Sequence, residues 1–232
     1  MSVMGVFFIF VGSVAVLWLW REGVMDSHWL QEGEISAYRG GGGRAPKAAK
    51  AGLTIFLAVA LCLFSLMSAA FFMRMESTDW QSPPLPRILW FNTAVLIASS
   101  IALQFAQSAA KGRAFVPMRK ALAAGGAMSV LFLLGQLWAW RELVAGGFYA
   151  SQNPANAFFF LLTGAHALHL AGGLFALFRS LARSSGADEA TAETVELCAL
   201  YWHFLLGVWL LLFALLVGWA DNLGVICRRL LS

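Results

Sequence analysis

Three histidines and one glutamate stand in or beside apolar stretches of this sequence, and their spacing is regular. His166 and His169 are three residues apart, and Glu196 and His203 are seven apart. At 100° per residue, each pair falls on one face of a helix. Imidazole suits iron, copper and zinc, so one chemistry open to this set is a metal or haem site. The other is a hydrogen-bonded network in which polar groups inside a membrane satisfy one another. Gly164, Ala165, Ala167, Gly172 and Gly173 flank the first pair and let a neighbouring helix come close. Further polar groups at membrane depth are Asn92, Thr93, Ser99, Ser100, Gln104, Gln136 and Thr163, with Arg141 and Glu142 at the outer end of their segment.

The segments that carry these groups are long and apolar. Of 232 residues, 60% are apolar and 12% charged, with a mean hydropathy of +0.73. An average soluble domain is roughly 25% charged, so this chain could not cover its apolar surface in water. Three scattered cysteines exclude a disulfide scaffold; Cys62 and Cys198 lie in apolar runs and read as small hydrophobes. With 19 Phe and 10 Trp the chain is not disordered. Its basic residues alternate with apolar blocks, which points to membrane orientation and not to a nucleic-acid partner.

A crossing of the hydrocarbon core needs about 20 apolar residues. Six runs reach that length: Val3–Trp20, Ala51–Met73, Ile88–Ala110, Ala121–Trp140, Ala157–Phe178 and about Val195–Trp219. They do not alternate as barrel strands do. The expected fold is therefore all-α, a polytopic membrane protein with six transmembrane helices. The first run has no basic leader segment and no small-x-small site before Arg21, so we read it as a retained helix and not a signal peptide.

Eleven of the sixteen basic residues fall on one side of this arrangement. They are Arg21, Arg39, Arg44, Lys47 and Lys50, then Lys111, Arg113, Arg119 and Lys120, then Arg179 and Arg183. Arg74, Arg87, Arg141, Arg228 and Arg229 fall on the other. The positive-inside rule puts the richer side in the cytoplasm and both termini outside. Residues 21–50, with the run Gly40–Gly43, form a cytoplasmic linker. The division is then an N-terminal helix over 1–20, the linker, a five-helix bundle over 51–220 and a short external tail over 221–232. Ser184–Thr194 is a weaker joint, and Pro83, Pro84 and Pro86 stiffen an outer turn.

Other signals are weaker. Trp18, Trp20, Trp80, Trp90, Trp138, Trp140, Trp202 and Trp219 mostly fall near run ends, where an aromatic belt accounts for them. His28 reads as a solvated loop residue and Cys227 as a plain exposed cysteine. No Gly-x-Gly-x-x-Gly, Walker, His-Glu-x-x-His or Cys-x-x-Cys pattern is present.

The order of the polar motifs resembles the cytochrome c oxidase subunit III family over about Ala51–Trp219. Trp90-Phe91-Asn92-Thr93 with Ser99-Ser100 resembles the family's Asn-Thr and Ser-Ser stretch. Gln136-Leu137-Trp138-Ala139-Trp140 is similar to its Gln-x-x-Glu-aromatic segment. Leu162-Thr163-Gly164-Ala165-His166-Ala167-Leu168-His169 resembles its Thr-Gly-x-His-x-x-His signature. Glu196, Tyr201-Trp202-His203-Phe204 and Trp209 resemble its closing motif. Three acids that the family often carries are absent, at the positions of Ala60, Ala139 and Leu206.

The resemblance implies an accessory subunit of a haem-copper terminal oxidase, not catalytic alone and without its own haem or copper. Those groups would sit in the partner, subunit I, which this chain would stabilise on its proton-uptake side. Structural phospholipids and other oxidase subunits are further implied partners, in a bacterial cytoplasmic (inner) membrane. Asn92, Ser100, Gln136, Thr163, His166, His169, Glu196 and His203 then belong to a polar packing network. Trp90, Trp138, Trp202 and Trp209 would be interface aromatics. Two alternatives remain: a homologous accessory subunit of nitric oxide reductase, and a membrane cytochrome built on His166, His169 and His203.

Overall fold

A computed structural model of the chain describes residues 13, 45–75, 77–183 and 189–217. Apart from Ser13, the expected first helix lies outside the described residues. So do His28, the glycine run and the tail with Cys227, Arg228 and Arg229.

The described residues form five helices and no strand: α1 (Ala45–Met75), α2 (Ile88–Lys111), α3 (Phe115–Ala145), α4 (Pro154–Arg183) and α5 (Glu189–Leu216). All five are long and apolar enough to cross a membrane. The shortest, α2, has 24 residues and so extends about 36 Å at 1.5 Å per residue. That exceeds the roughly 30 Å of a hydrocarbon core.

Four helices overrun the apolar blocks that announce them. α1 starts at Ala45, inside the expected linker, because Ala45-Pro46-Lys47-Ala48-Ala49-Lys50 pairs good helix formers with a proline in the first turn. α3 starts at Phe115 and carries Arg119 and Lys120 on its first turns. α4 starts at Pro154, with Asn153 as its cap: Asn153 Oδ1 accepts the Ala155 N–H at 2.9 Å. An Asn cap followed by proline is a strong helix start, since the missing proline N–H would have had no helical partner. α5 likewise begins at Glu189, ahead of Val195.

The chain divides into two units, one ending at Ser65 and the other beginning at Leu66. In the first, Ser65 Oγ donates to the Leu61 carbonyl at 2.8 Å. Ala60 is buried there and Cys62 is exposed. The second unit holds the last turns of α1 and all of α2–α5. Within it α2 packs against α3 and α5, and α4 packs against α3 and α5. The four helices therefore close a ring, and sequence neighbours are antiparallel.

Both described ends of the ring are built from local chemistry. At one end, α2 and α3 are joined by Gly112, Arg113 and Ala114. Ala114 N–H donates to Ala109 O at 2.9 Å and Arg113 N–H to Ala110 O at 3.0 Å. This is a Schellman termination, and the residue that must turn left-handed is Arg113, at φ 53°. α3 ends the same way: Phe148 N–H donates to Leu143 O and Gly147 N–H to Val144 O, both at 3.0 Å. Here a glycine, Gly147, takes the positive φ, at 85°. At this opposite end the loops before α2 and after α3 are tied together, because Asn153 Nδ2 donates to Gln81 O at 2.6 Å. Near the tie, Phe71 packs edge to face against both Trp80 and Phe158. Asp79 pairs with Arg74 at 2.6 Å.

Candidate functional site

The inside of the ring is held by one repeated device. A hydroxyl on one helix donates to the carbonyl four residues back, and the same oxygen accepts a tryptophan N–H from another helix. Thr93 Oγ1 of α2 donates to Leu89 O at 2.8 Å and accepts Trp209 Nε1 of α5 at 3.0 Å. Thr163 Oγ1 of α4 donates to Phe159 O at 2.7 Å and accepts Trp140 Nε1 of α3 at 3.0 Å. Ser129 Oγ of α3 lies 3.0 Å from Gly125 O and accepts Trp202 Nε1 of α5 at 2.8 Å. A hydroxyl has one proton and two lone pairs, so it can satisfy its own helix and still bind the indole. Tryptophan suits the role because its bulk fills the core while its N–H needs a partner when buried.

Ser129 belongs to a larger knot. Ser99 Oγ of α2 lies 2.8 Å from both Ser129 Oγ and Gly125 O. The two serine protons serve three oxygen contacts, and the Trp202 N–H supplies a third proton. Gly125 makes the knot possible: a Cβ there would press on Leu103 and the Ser99 carbonyl. The spacing Gly125-x-x-x-Ser129 is the small-x-x-x-small pattern of close membrane helices. That pattern is the signal through which sequence reasoning could have singled out Ser129.

The expected network residues are distributed unequally. Asn92, Ser100, Gln136, Thr163 and His166 are all buried. Asn92 fits against α3 where Gly135 leaves room; a Cβ on Gly135 would collide with its carboxamide oxygen. His166 lies edge-on to Phe132 at 5.8 Å and tilted against Trp209 at 5.1 Å between ring centres. His169 is half-buried, and its Nδ1 donates to Ala165 O on its own helix at 2.8 Å. His169 also offers its own carbonyl to Tyr201 of α5, whose hydroxyl donates to it at 2.7 Å. Gly173 admits that tyrosine, since a Cβ there would collide with the ring.

Glu196 and His203 do share a face of α5, and the structure turns that face outward. Both are exposed, and His203 Nδ1 bonds back to Ala199 O at 2.6 Å. The three histidines therefore do not converge. Among the described residues no group of three or more His, Cys, Asp or Glu side chains is placed to hold a metal ion.

The tryptophans also separate. Trp90 and Trp138 face outward, at 59% and 63% exposure, as belt residues do. Trp202 is a correction to the belt expected from its place near a run end: it is 1% exposed, drawn inward by the Ser129 oxygen. Trp209 is wholly buried between Thr93 and Phe132. Outside the membrane spans, the Asp79 carboxyl is held below its ordinary value by the Ser77 hydroxyl and then by its own backbone N–H and Arg74.

Comparison with known proteins bears on this arrangement as a whole. A family model described as cytochrome c oxidase subunit III matches residues 4–221. The chain is 31% identical over 180 residues to a probable cytochrome c oxidase subunit 3 of Mycobacterium tuberculosis, covering 74% of this chain and 88% of that protein. It is 30% identical over 172 residues to a cytochrome c oxidase subunit 3 of Synechocystis sp., covering 71% and 72%. A cytochrome c oxidase subunit 3 of Thermostichus vulcanus is 30% identical over 176 residues, covering 71% and 84%.

Proposed function

This chain belongs to the cytochrome c oxidase subunit III family, and on that premise we propose how it serves its complex. It is a multi-pass membrane protein and an accessory subunit of a haem-copper oxidase. Its role is non-redox. It packs against the catalytic subunit I, which carries the haems and copper, and steadies that subunit on its proton-uptake side. Phospholipids cover the outward apolar faces that no subunit covers. The match over residues 4–221 is the observation that carries this reading. His203 faces outward while His166 is buried, so these residues do not assemble the three-histidine site of the cytochrome alternative.

The membrane is the bacterial cytoplasmic membrane, with both termini periplasmic. In support, Lys111, Arg113, Arg119 and Lys120 gather at the α2–α3 turn, the end opposite the tied loops. Short loops rich in Lys and Arg stay in the cytoplasm.

The test is purification of the complex in mild detergent through a tag on this chain. Subunit I should co-purify and account for all the haem bands in a reduced-minus-oxidised spectrum. The isolated chain should give no pyridine haemochrome. His169→Ala and Glu196→Gln should loosen the chain's hold on the complex while leaving that spectrum unchanged. Haem that stays with the isolated chain would refute the accessory role, and co-purification with a nitric oxide reductase core would reassign the complex.

A further inference from the structure

Two carboxamides in the second unit have no bonding partner at either polar atom: Asn92 of α2 and Gln136 of α3. Both are buried, at 0% and 1% exposure. Asn92 stands four residues inside its helix, about 6 Å from the end, and Gln136 nine residues inside, about 14 Å from the end. The Asn92 carboxamide occupies the notch left by Gly135, the residue next to Gln136 in α3.

We propose that Asn92 and Gln136 together hold internal water at the α2–α3 interface. Each carboxamide presents two N–H donors and an accepting oxygen, so the occupant must accept and donate at once. Neither amide carries net charge, so the pair offers nothing to offset a buried ion. A head-to-head pairing of the two amides would use one N–H on each and strand the other. A buried water typically makes about three bonds to such groups, and so can reach what direct pairing leaves over. Lipid cannot take its place, because acyl chains neither donate nor accept. The hydroxyls nearby are already committed: Thr93 to Leu89 and Trp209, Ser99 and Ser129 to one another and to Gly125. The inference rests on the packing of α2 against α3 and not on the identity of the partner subunits.

The experiment is a cryo-electron-microscopy map of the intact complex containing this chain, at a resolution that shows ordered water. Density within hydrogen-bonding distance of both carboxamides is the expected result. A direct amide–amide bond with no such density overturns the proposal. The variants Asn92→Leu, Gln136→Leu and their combination give a second reading. Each single change strands the remaining amide or its water, so both should release the subunit at lower temperature than the parent. The double variant leaves nothing polar to satisfy and should recover part of that loss. Strictly additive losses, or single variants as heat-resistant as the parent, would also overturn it. Because the readouts are water density and subunit retention, a failure here leaves the oxidase assignment standing, and the reverse holds as well.

Discussion

Trp209 of α5 donates its indole N–H to Thr93 Oγ1 of α2 across 3.0 Å, and the Thr93 hydroxyl in turn donates a hydrogen bond to the Leu89 carbonyl. Both residues are buried, and the bond links two helices more than 100 residues apart in sequence. Interhelical hydrogen bonds in membranes are worth only about 0.6–2 kcal/mol. Two of these bonds join ring neighbours, α5 to α2 at Thr93 and α3 to α4 at Thr163, and the third crosses the ring from α5 to α3 at Ser129.

Trp209→Phe should cost about 2 kcal/mol, more than the bond alone, because part of the ring's packing goes with it. Thr93→Val should cost about 1 kcal/mol by leaving the indole N–H unsatisfied. Their combination should cost less than the two losses added, since one bond is removed twice. Thermal release of the subunit from the purified complex measures all three, and full additivity would show that the bond contributes nothing.

The two Schellman turns differ at one position, and substitutions there should have opposite signs. Arg113→Gly removes a side chain from a left-handed conformation and should stabilise by about 1 kcal/mol. Gly147→Ala puts one in and should destabilise by a similar amount. Nothing crowds the space around Gly147, so any loss there reports backbone strain and not a clash. Denaturant titration of the purified chain in detergent compares the pair.

Cysteine accessibility should separate the two ends of the ring. In a cysteine-free background, Gly112→Cys should resist a membrane-impermeant thiol reagent in intact cells, and Ser82→Cys should label. The physical basis is the basic cluster around the α2–α3 turn. The reverse pattern would invert the membrane orientation while leaving the fold intact.

Asp79 gives a small acid-range dependence with a defined sign. Its folded carboxyl is depressed below 3.8, first by the Ser77 hydroxyl and with help from Arg74. A depressed carboxylate contributes stability that is present above the unfolded value and fades as pH falls through the folded one. The Arg74–Asp79 loop should therefore be unaffected from pH 5 upward and loosen only below about pH 4. Asp79→Asn should remove that acid step, read as limited proteolysis of the loop against pH. A step that survives the substitution would assign it to another group.

The membrane crossings were legible in the sequence because burial in a bilayer is recorded in one dimension. A stretch of about 20 residues without charge needs no partner to declare itself, and five of the six such runs lie among the described helices. Helix ends were less legible, since four of these helices project past their apolar runs. The Asn153-Pro154 cap and the Pro46 and Pro117 first turns then decide where such a helix starts. The spacing of Glu196 and His203 correctly put them on one face of α5. What it could not give was the direction of that face. A heptad fixes the relative phase of two residues, whereas their absolute orientation depends on which neighbours the helix meets. In water an apolar stripe would mark the inner face, but in a membrane both faces are apolar and the stripe is lost. For the same reason Ser99, and not the adjacent Ser100, forms the bond to α3, and Ser129 became visible only once Gly125 had let the two helices close. Composition determined that the chain lies in a membrane; only the packing of four helices decided which of its polar atoms meet.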